Sequence, residues 1–381
     1  MKKIWPFSLS FLLFGGIALT MPFLVLFYQG LNFTGTQIGI LVGLSPLLSL
    51  VSTPFWTGLA DRTHQHRLVM SLALLVAALM TALLPFMQAF LPVLLVGALF
   101  NLFYSPVSSF ADSATMYMLA DQKELYGRIR VGGTFGFGLI AILAGFLVQN
   151  YGLKYAFLAA ALVYLLALLV SQKLLHNPAK TATVAPLGAA TLLKQRRWQL
   201  FLSLALAGGL AATITNSYLF SYLKALGAAE GLMGLALTIG TLSEIPTFFF
   251  GNWLLKRFKA RPLLNLALLI TALRLLALAF STSPFLVLAT QLLNGVSFSA
   301  MWMAGVSYAD ENAPAGMSAS AQGLFGSTVY GVGGAVGGLL GGVLLERLGG
   351  HGLYLFFGVV VLVIVAVVAL IERSTPATTP G

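Results

Sequence analysis

The chain contains no cysteine and very little charge. Without thiols it can build no disulfide, no thiolate metal site and no cysteine nucleophile. Charged residues make up only 8% of it, against about 25% in soluble domains, so a water-facing surface could not be covered. Acidic residues are the scarcest: 10 Asp and Glu stand against 21 Lys and Arg, a net charge of +11. That excess does not point to nucleic acid, because a basic patch needs a soluble face to sit on. Walker, HExxH and strand-to-helix GxSxG motifs are also missing, and no nucleotide domain fits in the chain. An enzyme and an ATP-driven pump are therefore not expected, nor is any cofactor or metal.

What is present is apolar. The hydrophobic fraction is 59% and the mean hydropathy +0.93. Long apolar windows cover 7-28, 36-57, 68-88, 91-118, 129-150, 154-173, 198-224, 230-254, 262-281, 284-308, 319-345 and 351-371. Each is near or above the roughly 20 residues that a helix needs to cross a bilayer. The ten-residue alternating strands of a membrane barrel do not occur. The apolar stretch after Lys2 and Lys3 is too long for a signal peptide and reads as the first span. The expected fold is an all-α membrane protein of twelve transmembrane helices.

Lys and Arg sort by side. Lys2, Lys3, Arg62, Arg67, Lys123, Arg128, the Lys173–Arg197 interval, Lys256, Arg257, Lys259, Arg261 and Arg373 share one side, while the other holds Lys154, Lys224 and Arg347. The positive-inside rule places both termini in the cytoplasm, which requires an even number of spans. The expected organisation is a six-helix bundle over 1-173, a cytoplasmic linker over 174-197 with a surface helix near Thr191–Arg197, a second bundle over 198-372, and a short tail over 373-381. The halves look repeated: Gly145–Gly152 (GFLVQNYG) parallels Gly342–Gly349 (GVLLERLG), and each ends the fifth span of its half. Two six-helix repeats are a recurrent transporter plan, with the substrate site between them near mid-membrane.

The loop Pro54–Arg67 (PFWTGLADRTHQHR) resembles the signature loop of the major facilitator superfamily, a Gly, three residues, Asp-Arg and a further basic residue. Thr57 stands at the usual Gly position beside Gly58, and His64 replaces the second Gly. The resemblance implies that Asp61, Arg62 and Arg67 take part in gating; the alternative is that they anchor the interface. Tyr126-Gly-Arg128-Ile-Arg130, leading into Gly132-Gly133, resembles the lactose-permease-like branch, whose members include sugar, nucleoside and aromatic-acid proton symporters. Asp112 and Arg130 resemble in spacing the helix-four acid and helix-five Arg that bind sugar in lactose permease. Glu244 and Arg274 match a Glu and an Arg tied there to proton coupling and sugar recognition. The His and Glu of that protein's tenth helix are absent: the matching stretch reads Gln291-Leu-Leu-Asn294-Gly-Val-Ser297.

An unpaired charge in hydrocarbon costs at least about 2.5 kcal/mol, so Asp112, Arg130, Glu244 and Arg274 each need a reason. Glu244 lies about 18 Å above Lys256 on span eight, and Arg274 about 19–20 Å above Arg261 on span nine. At matching depth they form an ion pair or share a wet cavity, either as a functional pair or as a structural bridge. A proton carrier, if there is one, must be Glu244 or Asp112, because no His is expected within the membrane: His64 and His66 fall in a loop. Arg130 can also snorkel from the first turn of span five.

Asn101, Tyr104, Tyr117, Asn216, Tyr218, Gln291, Asn294 and Trp302 are candidate cavity-lining groups; singly, each also suits an interhelical bond or a belt contact. Of these, Asn216, Gln291, Asn294 and Trp302 join Asp112, Arg130 and Arg274 as candidate substrate ligands. The glycines of span eleven, four apart, suit close helix packing. Asp310 and Glu311 could pair with Lys256 or Arg257.

The first reading is a proton-linked symporter of a small polar organic solute, working by alternating access as a monomer in a bacterial cytoplasmic (inner) membrane. Sugar, nucleoside and aromatic acid all stay open. The partners expected are that solute, protons and the lipid bilayer, with no nucleic acid. An efflux carrier for amphipathic compounds and a non-transporting membrane assembly protein are the alternatives.

Overall fold

Hydrocarbon leaves a spanning chain no partner for its peptide groups except itself, which restricts it to helices or a closed barrel. The computed structural model describes residues 4–119, 122, 125–174, 189–314 and 317–374, and all its regular structure is helical. The expected linker lies outside the described residues over 175–188, and the tail over 375–381.

The spanning helices are α1 (Ile4–Gly30), α2 (Gly35–Thr63), α3 (His66–Phe86), α4 (Phe90–Leu119), α5 (Tyr126–Tyr151), α6 (Leu153–Ser171), α7 (Arg196–Ala225), α8 (Glu230–Phe249), α9 (Ala260–Ala279) and α10 (Pro284–Glu311). A helical run then covers Ser320–Arg373, far longer than one crossing needs. It divides at Gly349, whose φ of 65° and ψ of −175° are not helical. That break gives α11 (318–348) and α12 (350–374), and twelve spans in all. The described residues begin, at Ile4, and end, at Ser374, on one face, called here the terminal face, opposite the far face.

Span eight ends earlier than the hydropathy suggests. With Pro246 in its last turn, α8 stops at Phe249, and a separate short helix, Gly251–Phe258, carries Lys256 and Arg257. Before α7 a short helix covers Ala189–Leu193, and α7 itself begins at Arg196, inside the expected surface helix.

Helices α1 to α6 pack together as one bundle and α7 to α12 as a second. The repeat shows in the backbone. Every described residue with positive φ has a counterpart: Asn32 with Gly227, His64 with Lys259, Gly152 with Gly349. Each pair occupies equivalent interhelical turns in the two halves, as parallel repeats about an axis along the membrane normal require. His64 adopts this left-handed conformation where the superfamily loop has its second Gly, a conformation that costs a residue with a Cβ about 1–2 kcal/mol.

The bundles meet along two equivalent helix pairs, α2 with α11 and α5 with α8. Gly35, Gly39 and Gly43 on α2 face Gly338 and Gly342 on α11, so closely that a Cβ on Gly39 or Gly342 would collide with opposing backbone. At the far face Glu346 of α11 accepts a hydrogen bond from the Gly35 N–H at the start of α2 (2.7 Å). Its repeat equivalent, Gln149 of α5, accepts from the Gly231 N–H at the start of α8 (3.1 Å). Both satisfy orphan donors of a helix N-terminus. Phe23 of α1 meets Phe220 of α7 edge-on at 4.9 Å, and Ser221 donates to Gln29 (2.9 Å). These close approaches lie in the far half of the molecule and reach down to Leu50 of α2 against Gly331 of α11.

Gly342→Val should force α2 and α11 apart at the far face. Because the chain has no native cysteine, spin labels at Thr36→Cys and Leu348→Cys report on this interface without background. We expect a longer interlabel distance in the Val variant; an unchanged distance would mean that glycine packing does not hold the two helices together.

Candidate functional site

The buried charge of the second bundle is built around one guanidinium. Arg274 on α9 is only 4% exposed, and α10 supplies its acceptors. Its Nη2 donates to Gln291 Oε1 (2.7 Å), its Nη1 to Asn294 Oδ1 (2.7 Å) and more weakly to Ser297 Oγ (3.4 Å), and its Nε to the Thr290 carbonyl (3.1 Å). Gln291 and Asn294, three residues apart, present both amides to one side.

Glu244 on α8 does not form a direct ion pair with Arg274, one of the two arrangements the sequence left open. The Asn294 amide stands between the two charges: Asn294 Nδ2 donates to Glu244 Oε1 (2.7 Å) while its Oδ1 accepts from Arg274. A neutral residue thus links carboxylate and guanidinium. The join between α8 and α10 is tightened by Ser243, whose Oγ donates to the Gly240 carbonyl and accepts the Gly295 N–H (2.9 Å). Gly295 lies against the Ser243 backbone, with no room for a Cβ. Immediately after Asn294, α10 widens into a π-helical turn, Gly295–Ser299. Such turns are rare and recur at functional sites.

The expected candidates therefore separate. Gln291 and Asn294 bind protein, not open space, and Arg274 is occupied by them. Trp302 lies on α10, ring to ring with Tyr330 of α11 (5.0 Å). Asn216 is exposed on α7 and makes none of these bonds. Asn101 bonds Ser45, and Tyr218 bonds the Gly338 carbonyl, both as interhelical links.

A second group sits in the first bundle. Asp112 of α4 and Arg130 of α5 line one recess with Ser10 and Phe14 of α1 and Tyr104 of α4. The Arg130 guanidinium lies 4.3 Å from the Phe14 ring centre, a cation–π contact. The Tyr126 hydroxyl interacts with both Asp112 and Arg130. Among the described residues no hydrogen bond or ion pair joins this group to Glu244 or Arg274.

The α2–α3 turn corrects another expectation. His66 is not in a loop: it is the buried first residue of α3, and its Nε2 donates to Asp61 Oδ1 (2.7 Å). Asp61 is thus held by its own turn. Arg67 donates to Gln172 at the end of α6 (2.8 Å), and Arg62 is exposed. Asp310 accepts from Ser318 and Gln322, and Glu311 from Ser307, so both find partners close by in sequence. Tyr126 entered the sequence reading only as the first residue of its motif and His66 only as a loop residue, while Phe14 and Tyr330 were not named; the proximity of Tyr126 to Arg130 was a usable signal, and the others needed the fold.

Two six-helix repeats with buried charge on facing helices define a secondary transporter of the major facilitator superfamily. More narrowly, residues 6–371 match the MFS_1 like family, and the chain belongs to it. It is 29% identical to the maltose permease of Geobacillus stearothermophilus, with 98% of this chain and 95% of the relative aligned. It is 26% identical to the putative nucleoside transporter YegT of Escherichia coli (strain K12), over 83% and 78%. The fold is shared with the crystal structure of nucleoside transporter NupG, at a TM-score of 0.87 and 19% identity, covering 98% and 100% of the two chains.

Asn294→Leu strands Arg274 and Glu244 without their bridge, and leaving such buried groups unpaired costs roughly 1–3 kcal/mol. Glu244→Gln keeps an acceptor for Asn294. Thermal unfolding in detergent should therefore show a clear drop for Asn294→Leu and a value near wild type for Glu244→Gln. Equal melting of both variants would mean that the bridge contributes nothing to stability.

Proposed function

We propose that the protein imports a small ring-bearing polyol, a sugar first and a nucleoside second, together with a proton. The observation that carries this reading is the Glu244–Asn294–Arg274 network. It holds a carboxylate inside the second bundle through a neutral amide instead of a direct cation, so the carboxylate can gain or lose its proton without breaking an ion pair. Neither Gln291 nor Asn294 titrates, which leaves Glu244 as the proton carrier of this bundle.

In this reading Asp112 and Arg130 bind the solute from the first bundle. A carboxylate accepts hydroxyl hydrogen bonds and a guanidinium donates to oxygens, while Tyr126 orients both side chains. Arg274 acts as a positioning residue, held by α10. Full-length similarity to a maltose permease favours the sugar over the nucleoside. With the basic loops on the cytoplasmic side, both termini face the cytoplasm of a bacterial inner membrane, and the far face, where the bundles meet, is the outside. The conformation is then inward-open. Asp61, held by His66, would govern the opposite closure when α2 approaches the second bundle, with Arg62 and Arg67 beside it.

Energised proteoliposomes test this directly. Maltose, uridine and 3-phenylpropionate are added in turn while external pH is followed. Solute-dependent alkalinisation is expected with maltose or uridine, and Glu244→Gln should abolish it while sparing solute exchange between equilibrated compartments. Solute movement with no proton movement would overturn the symport reading in favour of facilitated diffusion.

A further inference from the structure

We infer that Tyr330, together with Trp302, forms a ring-selecting subsite on the second bundle, taking the C–H face of a cyclic solute beside Glu244. This rests on the transport reading above and adds a specificity determinant to it.

Helix α11 gives up its regular winding where Tyr330 sits: Ser327–Gly333 is π-helical. Its neighbours there are committed to packing. Val329 is fully buried with its carbonyl against Gly209 of α7, and Gly331 is covered by Leu50 of α2. Tyr330, between them, is turned outwards and 51% exposed. A side chain flanked by one residue facing α7 and another facing the first bundle, and touching α10, looks into the space between the bundles and not towards lipid.

Trp302 is placed similarly, just past the π-helical turn Gly295–Ser299 of α10. Its ring meets Tyr330 at 5.0 Å and the fully buried Phe325 at 5.2 Å. Phe325 stacks in turn on Phe201 at 5.5 Å, which fixes the indole from behind. Tyr330 thus lies within a widened turn and Trp302 just beyond one, in two adjacent helices with their rings in contact.

Their polar tips are free. Neither the Tyr330 hydroxyl nor the Trp302 indole N–H has a hydrogen-bond partner among the described residues. The Tyr330 hydroxyl lies in the field of the Glu244 carboxylate. Two ring faces, two unused polar tips and a carboxylate complement a solute with a flat apolar face and a hydroxyl-bearing edge. Sugar rings and nucleosides both offer that; an open-chain polyol offers hydroxyls without a fixed face to stack.

The test measures uptake of labelled maltose and of labelled uridine into proteoliposomes, with sorbitol, an open-chain hexitol, as competitor. Wild-type protein should take up at least one of the two and be little inhibited by the hexitol. Tyr330→Leu removes the ring and should raise KM for the transported solute roughly tenfold, in line with the loss of one stacking contact, with little change in kcat and with weaker discrimination against sorbitol. Tyr330→Phe keeps the ring and should retain that discrimination while raising KM less. If Tyr330→Leu does not fold, Trp302→Phe and Tyr330→Phe decide the matter, and wild-type KM in both overturns the subsite. Uptake by the wild type with unchanged KM and selectivity in Tyr330→Leu also overturns the subsite and leaves the transport reading standing. No uptake of either solute by folded wild-type protein overturns both.

Discussion

A guanidinium inside hydrocarbon must find all its partners in protein, and Arg274 finds them on a single neighbouring helix. Gln291, Asn294, Ser297 and the Thr290 carbonyl lie within two turns of α10. That demand fixes α9 against α10 and fills α10 with amides at positions where an apolar residue would otherwise pack. It also positions Asn294 to hold Glu244 from α8. Three helices are thus registered by one charge. The linkage between Glu244 and Arg274 is amide-mediated, and it needs no titratable group on this part of α10.

The same economy of partners explains where the helices are irregular. The helices α6, α9 and α12 are continuous, whereas α10 and α11 each contain a π-helical turn close to Glu244, Trp302 and Tyr330. A widened turn shifts the residues that follow it around the helix. It can aim a side chain into the cavity while the flanking residues keep their packing on α7 and α2. Close approach of small residues does the complementary work at the far face, where backbone meets backbone and side chains would hold the bundles apart.

Pattern and side-chain chemistry did not carry equally far. Twelve spans were readable from hydropathy and loop charge because bilayer thickness imposes a length on each apolar segment. The final pair runs on as helix with a break only at Gly349, and that division was readable from the match of Gly349 to Gly152. The candidacy of Glu244 and Arg274 followed from the cost of charge in hydrocarbon. Their mutual arrangement did not, because depth along a helix says nothing about rotation around it, and the direct pair gave way to Asn294. His66 was misplaced for a related reason: two residues of sequence separate a loop from a helix start, and only backbone hydrogen bonding distinguishes them. Tyr330 was missed because a Tyr amid glycines has no periodic signal, and the π-helical turn that aims it depends on what surrounds it.

By itself, the sequence determined the solvent, the helical class, the number of crossings, the twofold repeat and the short roster of charges that need a partner. Each of these follows from composition or from one-dimensional spacing set by the bilayer. Only the tertiary structure decided which side chains meet: Asn294 between Glu244 and Arg274, Asp61 with its own His66, and Tyr330 beside Trp302. Those outcomes depend on helix rotation, on which glycines allow two backbones to touch, and on turns that depart from α-helical winding. All three are settled by neighbours distant in the chain.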